Sequence, residues 1–319
     1  MAAVPAVAST RSAIDIVVPG LFRQPVPGLA ALEHLLARSS RSVVPASSEA
    51  LLFHLFGHAP IATLPVAAVR LLGEGLEPGG EWLQADPVQF VPARDHVLVM
   101  PTEPLDAAEL GAIAEEIGRH FELEVQVLQG QLLLRRAAPV GVVIAPTARV
   151  LGHSLGSVLP EGREHLPWLS LINEIQMLLH SSAVNRAREQ RGIDPVNGLW
   201  LWGGGPLPSP VASPFTCVWG GDSLLRGLAL LGGCEARALP GDAAPAVAVG
   251  HGRQLIVFPE DADPAGLEVR WFRPLLAALR GGKLSRVSVY DAEGRAFAIS
   301  RPALYRFWRR PRPLESYQQ

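Results

Sequence analysis

Short apolar stretches separated by Pro and Gly breaks recur along the chain, and their periods predict alternating strands and helices. Ile14–Val18 (IDIVV) is a β-rich run closed by Pro19-Gly20, the pattern of a buried strand that empties into a loop. Helices are predicted at Leu29–Leu36 (LAALEHLL) and Glu49–Phe56 (EALLFHLF). Ser47 or Ser48 is placed to cap the second, and Gly57 and Pro60 to stop it. From about Gly79 the texture changes. Trp82–Met100 reads as two strands joined by a turn at Pro92–Asp95, Leu105–Phe121 as a helix, and Leu123–Leu128 with Gln131–Arg135 as paired strands across Gln129-Gly130. Such a ββαββ run is a compact α+β unit.

The longest helix is predicted from Pro167 to about Arg191, with Trp168, Leu171, Ile172, Ile175, Leu178 and Leu179 as its apolar stripe. A strand at Leu199–Trp202, a helix at Ser223–Leu231, a strand at Gln254–Phe258, a helix at Phe272–Leu279 and a strand at Arg286–Tyr290 follow. This alternation predicts an α/β fold, a mainly parallel sheet with helices on both faces, carrying an inserted α+β domain. The expected division is a first part of the core over 1–75, the inserted domain with the long helix over 76–195, and the second part of the core over 196–319.

Composition narrows the function classes. With 319 residues, 48% hydrophobic and 18% charged, the chain is long enough for a large core, yet no apolar run approaches the ~20 residues of a membrane helix. Net charge is −2, from 28 basic and 30 acidic residues, so no strong field draws nucleic acid or an anionic membrane, and neither is expected as a partner. Lys283 is the sole lysine, which leaves arginine to carry the positive charge. Cys217 and Cys234 lack metal-type spacing and no secretory pattern precedes them; the expected compartment is the cytoplasm. The Arg-rich segment Arg306–Pro313 (RFWRRPRP) reads as a solvated terminus, with contact to an acidic partner as the alternative.

The most distinctive stretch is His180–Gly205, HSSAVNRAREQRGIDPVNGLWLWGGG. Arg188 offers a planar fork for a phosphate or carboxylate, and Asn185 and Asn197 stand beside it, so the three are candidate anion-binding residues for a small phosphorylated metabolite. The competing reading has the asparagines satisfying turn amides and the glycines permitting a tight turn. A second candidate anion loop is GHSLGSVLPEGREH, with Ser154, Ser157 and Arg163 between His153 and His165.

The His180–Gly205 stretch resembles the archaeal-type, cofactor-independent phosphoglycerate mutases of the alkaline phosphatase superfamily, through His180, Val184-Asn185, Arg188, Gly192, Pro195, Asn197 and Gly203–Gly205. Ser181-Ser182-Ala183 stands where the family has one proline, and Trp202 where it has arginine. A second stretch, Pro45–Pro60 (PASSEALLFHLFGHAP), is similar to the family segment that carries the phosphorylated nucleophile. Under that alignment Ser48 takes the nucleophile's place and Glu49 that of the following aspartate. The ββαββ insertion and Asp222–Gly241 extend the resemblance over most of the chain, in a form similar to divergent bacterial regulatory proteins of the RpfE type.

The resemblance implies an alkaline-phosphatase-like core and, for an active member, two divalent metals held by Asp and His. Here Pro19-Gly20 stands where the family's first strand ends in Asp-Gly, Pro259–Asp263 lacks a nearby Gly-His, and Asp291 is followed by Ala292 rather than His. The expectation is therefore a mutase-like protein stripped of most metal ligands, with no cofactor, acting as a regulatory or interaction protein through a protein partner or a phosphorylated metabolite. The alternative is an active phosphomutase or phosphatase acting on phosphoglycerate, with Ser48 as nucleophile and Mn or Mg held by Asp261, Asp263 and Asp291.

Overall fold

The computed structural model describes residues 12–23, 26, 28–58, 63–136, 143–160 and 165–317. Pro60 and Arg163 lie outside the described residues. The chain forms two compact units, one of Met1–Ala59 with Pro210–Gln319 and one of Pro60–Ser209. The insertion therefore begins and ends some fifteen residues away from the boundaries expected at 75/76 and 195/196.

Elements are numbered along the whole chain. In the first unit the strands are β1 (Ala13–Val17), β2 (Ser40–Val43), β8 (Cys217–Trp219), β9 (Glu235–Arg237), β10 (Arg253–Val257), β11 (Arg286–Tyr290) and β12 (Arg295–Ser300). They make one sheet in the order β2-β12-β11-β1-β10-β8-β9. The five strands from β11 to β9 are parallel, and β12 pairs antiparallel with both β11 and β2. The predicted strands at Ile14, Gln254 and Arg286 are thus the three at its centre.

Period-2 alternation decides which side chains reach the core. Ile14 and Ile16 enter a large buried cluster with Ile256, Val287, Val289, Phe297 and Ile299. Residues of α1 (Ala30–Arg38), α10 (Ala244–Val249), α11 (Pro264–Leu267) and α12 (Arg273–Arg280) complete that cluster. The helices α2 (Ser48–Leu55) and α9 (Ser223–Gly232) pack on each other outside it. The start of α1 has no side-chain cap of its own. Glu268, buried in a π-helical turn over Glu268–Phe272, accepts from the amides of Ala31 and Leu32 at 2.8 and 3.1 Å and supplies the missing acceptors.

The second unit holds the predicted ββαββ run: β3 (Glu81–Pro92), β4 (Val97–Pro101), α4 (Ala107–Phe121), β5 (Val125–Leu128) and β6 (Gln131–Arg136). The long strand β3 pairs with β6 along its first half, with β4 along its last, and with β7 (Gly198–Trp202) across its middle, all antiparallel. Strand β7, expected in the core, thus belongs to this sheet. Helix α3 (Val66–Gly73) packs on β3, α5 (Thr147–Val150) and α6 (Leu155–Val158) are single turns, and α7 (His165–His180) packs on α4 and β7. The helix expected to run unbroken from Pro167 to Arg191 ends at His180. A second helix, α8 (Ala183–Gln190), begins where the Ser182 side chain accepts from the Val184 amide. A serine free to cap offers the backbone a better bond than continuing the helix would.

Candidate functional site

Ligands of parallel α/β sheets sit beyond the carboxyl ends of the strands, where neighbouring strands diverge in sequence order. In the first unit that place is the end of β1 between β10 and β11. Backbone bonds fix the loops there: Phe258 N donates to Val17 O (3.0 Å), Val18 N to Tyr290 O (2.9 Å) and Gly20 N to Asp291 O (3.1 Å). Pro19 is buried within this frame.

Asp291, the first residue after β11, is fully buried. Its Oδ1 accepts from the amides of Glu293 and Arg295, both at 2.9 Å, closing the tight turn into β12. Its Oδ2 lies 3.1 Å from Nε of Arg295. Burial raises the Asp291 carboxyl above its ordinary 3.8, opposed by the two amides and by Arg295. The Arg295 guanidinium also stacks over the Phe22 ring at 5.1 Å and reaches Glu293 at 3.4 Å, while Arg23 pairs with Glu293 at 2.6 Å. Carboxylates and guanidinium groups therefore interlock beyond the end of β11.

The segment carrying Ser48 runs alongside. Val44 N donates to Gly294 O at 3.0 Å, and Gly294, with φ of +105°, faces the Ala46 Cβ. Ser47 is the N-cap of α2, its hydroxyl accepting from Ala50 N at 3.1 Å; Ser48 is the first helical residue and half-buried. Asp263 caps α11, accepting from the amides of Ala265 and Gly266 at 3.0 and 2.8 Å, and Asp261 is exposed. Among the described residues, no group of three or more His, Cys, Asp or Glu is placed to hold a metal ion, so Asp261, Asp263 and Asp291 are not brought together.

A buried pair that sequence reasoning passed over lies deeper in the same sheet. Asp15, on the face of β1 opposite Ile14 and Ile16, is fully buried, and its Oδ2 binds Arg253 through Nε at 2.6 Å and Nη2 at 2.5 Å. The only sequence signal was an aspartate inside an otherwise apolar run.

Arg188, Asn185 and Asn197 all lie in the second unit, and their polar groups have internal partners. Asn185 donates to the carbonyls of Leu179 and Val196 and accepts from Val196 N, tying the end of α7 to the segment before β7. Asn197 binds both backbone groups of Phe90, at 2.7 and 3.0 Å, as a neighbouring strand residue would. Arg188 is 1% exposed, and each of its three nitrogens donates: to Asp194 O, to Glu109 Oε2 and to Glu103 O, at 2.9, 3.0 and 3.2 Å. Burial alone would raise the Glu109 carboxyl. The Asp106 amide, Arg191 and Arg188 outweigh it and hold the group below its ordinary value. The triple glycine closes this unit rather than an open loop, because a Cβ on Gly204 would fall 2.6 Å from Leu83 Cδ2. Three residues read as candidate anion ligands thus form a clamp on the backbone between α8 and β7.

No family model matches the chain. It is 30% identical over 104 residues to the 2,3-bisphosphoglycerate-independent phosphoglycerate mutase of Methanothrix thermoacetophila, a match covering 31% of this chain and 26% of that protein. It is 26% identical over 150 residues to 2,3-bisphosphoglycerate-independent phosphoglycerate mutase 2 of Methanothermobacter thermautotrophicus, covering 43% and 37% of the two chains. The chain thus matches well under half the length of these curated relatives. Among solved structures, the PH0037 protein of Pyrococcus horikoshii aligns over 91% of this chain and 87% of its own, with a TM-score of 0.53 and 15% identity. The fold is shared with that protein, and the sequence is phosphoglycerate mutase-like over the matched segments. Among the described residues, no helix is long and apolar enough to cross a membrane.

Proposed function

We propose that this is a phosphoglycerate mutase-like protein that works without catalysis, as a regulatory or interaction protein. One observation carries the reading: Asp291, the carboxylate at the end of β11, is engaged by Arg295 and two backbone amides in place of a metal. The guanidinium lies 3.1 Å from Oδ2 without hydrogen-bonding to it and repels a divalent cation, while the two amides occupy Oδ1. The proline closing β1 and the helix-capping role of Asp263 support the same conclusion, since neither side chain is free to complete a two-metal centre. Among the described residues, those at the strand ends do not fit such a centre.

The same reading assigns Asn185, Arg188 and Asn197 to scaffolding of the second unit, and Ser48 to the start of α2. The test is calorimetric titration of the purified protein with manganese at neutral pH. Heat no greater than that of weak, non-stoichiometric surface binding is expected, whereas two tight stoichiometric sites would overturn the proposal.

A further inference from the structure

The segment from Tyr305 to Arg312 presents a side-chain set that the mutase-like site does not use. Tyr305, Phe307 and Trp308 are 74%, 80% and 67% exposed. Isolated exposed apolar residues are ordinary, but three within four positions make a patch. The turn is nonetheless held in place. Phe307 N donates to Tyr305 O at 2.8 Å and Arg309 N to Arg306 O at 3.0 Å. Arg306 and Arg309 reach the carbonyls of Arg38 and Ser39, at 3.4 and 2.8 Å. Beyond it Leu314 is buried in the main core and the Tyr317 ring packs on Phe297. Phe307 and Trp308 meet edge to face at 5.3 Å while both remain largely open to water.

We infer that this turn, with the neighbouring strand β2, is a docking surface for an extended acidic and apolar segment of another protein. Charge argues for the acidic part. Between Arg301 and Tyr317 stand Arg301, Arg306, Arg309, Arg310 and Arg312 against the single acid Glu315, on a chain whose net charge is −2. The remainder of the molecule is therefore clearly negative. A bilayer or polynucleotide wider than the ~10 Å screening length meets that remainder as well, whereas a short segment meets the patch alone. Geometry argues for the extended part. Strand β2 is the outermost of its sheet, all four of its residues are exposed, and Arg306 and Arg309 bind the carbonyls just before it. A segment laid along β2 onto the turn meets the aromatic pair and the exposed arginines together, and Trp, Tyr and Arg are the residue types that dominate interface energies.

The aromatic turn follows the end of β12 that lies away from the mutase-like site, and of the docking surface only β2 approaches that site, with Val43 paired to Arg295. Strand β12 starts at Arg295, next to Asp291, and ends at Ser300 opposite the first residue of β11, and the turn follows from there. The inference stands whether or not that site is catalytic.

The test uses the full chain and a synthetic pool of peptides about 10 residues long, with Asp or Glu at alternate positions and randomised apolar residues between. Selection should enrich binders whose affinity falls at least about tenfold in Phe307→Ser/Trp308→Ser and in Arg310→Glu/Arg312→Glu. All four positions are exposed, and unchanged thermal melts verify folding. Failure to enrich, or binding by either variant that equals the parent's, overturns the inference. So does transfer of the variant-sensitive binding to phosphatidylserine vesicles, to a single-stranded oligonucleotide, or to a second copy of this chain in sedimentation.

Discussion

Replacing Arg295 with methionine removes the cation that faces Asp291 while keeping an apolar stem against Phe22. The cost follows from the burial of the carboxylate. Asp291 is fully buried and retains two backbone donors at 2.9 Å, and the lost partner is itself 23% exposed. Removing one member of a buried pair costs ~3–5 kcal/mol, and the two surviving amides place this case at the lower end, about 3 kcal/mol. The pH dependence has a definite sign. The folded-state value of Asp291 lies above the ordinary 3.8, chiefly because of burial, so ionising it costs stability as pH rises from 3.8 through the folded value. Without Arg295 that value rises further, so the penalty in Arg295→Met is full at neutral pH and shrinks as the group becomes protonated. Urea denaturation of both proteins at neutral and acidic pH measures it, and Asp291→Asn combined with Arg295→Met should recover most of the loss. A variant within about 0.5 kcal/mol of the parent at neutral pH, the scatter of ordinary surface substitutions, would refute the reasoning.

Arg188→Lys should destabilise the protein by about 2–4 kcal/mol, since an ammonium cannot reach three separate acceptors, and phosphate should shift the melting of both proteins equally; phosphate-specific stabilisation lost in the variant would restore Arg188 as an anion ligand. Glu268→Ala should cost about 3 kcal/mol in chemical denaturation, because two buried amides at the start of α1 lose charged acceptors, and a near-neutral effect would contradict that capping role. Burial, together with Arg38 and Arg280, pushes His34 down from 6.5 to about 4. The fold therefore favours neutral imidazole, and the parent should lose stability as pH falls from 6.5 toward 4. Denaturation midpoints of His34→Gln should be flatter across that window; parallel profiles would argue against the shift.

The sheet centre was readable because IDIVV, QLIVF and RVSVY are short apolar runs bounded by breakers, the form of strands buried on both faces. Strand β2 (SRSV) was not, since all four of its residues face water and nothing apolar alternates. Nor were the three-residue strands β8 and β9, whose pairing with neighbours is the only thing that defines them. At the site, Asp291 was visible as a carboxylate after a strand, but its partner Arg295 was not. Their meeting depends on a turn in which Ala292 takes φ of 59° and folds the chain back by four residues. Arg188 shows the same limit from the other side. A guanidinium near asparagines has identical spacing whether its donors face a ligand or Glu109, and only burial separates the two.

Phosphoglycerate isomerisation is the most direct measurement of the central claim, followed by phosphorus NMR on the purified protein with 3-phosphoglycerate and either magnesium or manganese. The account predicts a spectrum that stays at the buffer control, identical for the parent and Ser48→Ala. Accumulation of 2-phosphoglycerate that requires the metal and disappears in Ser48→Ala would contradict it.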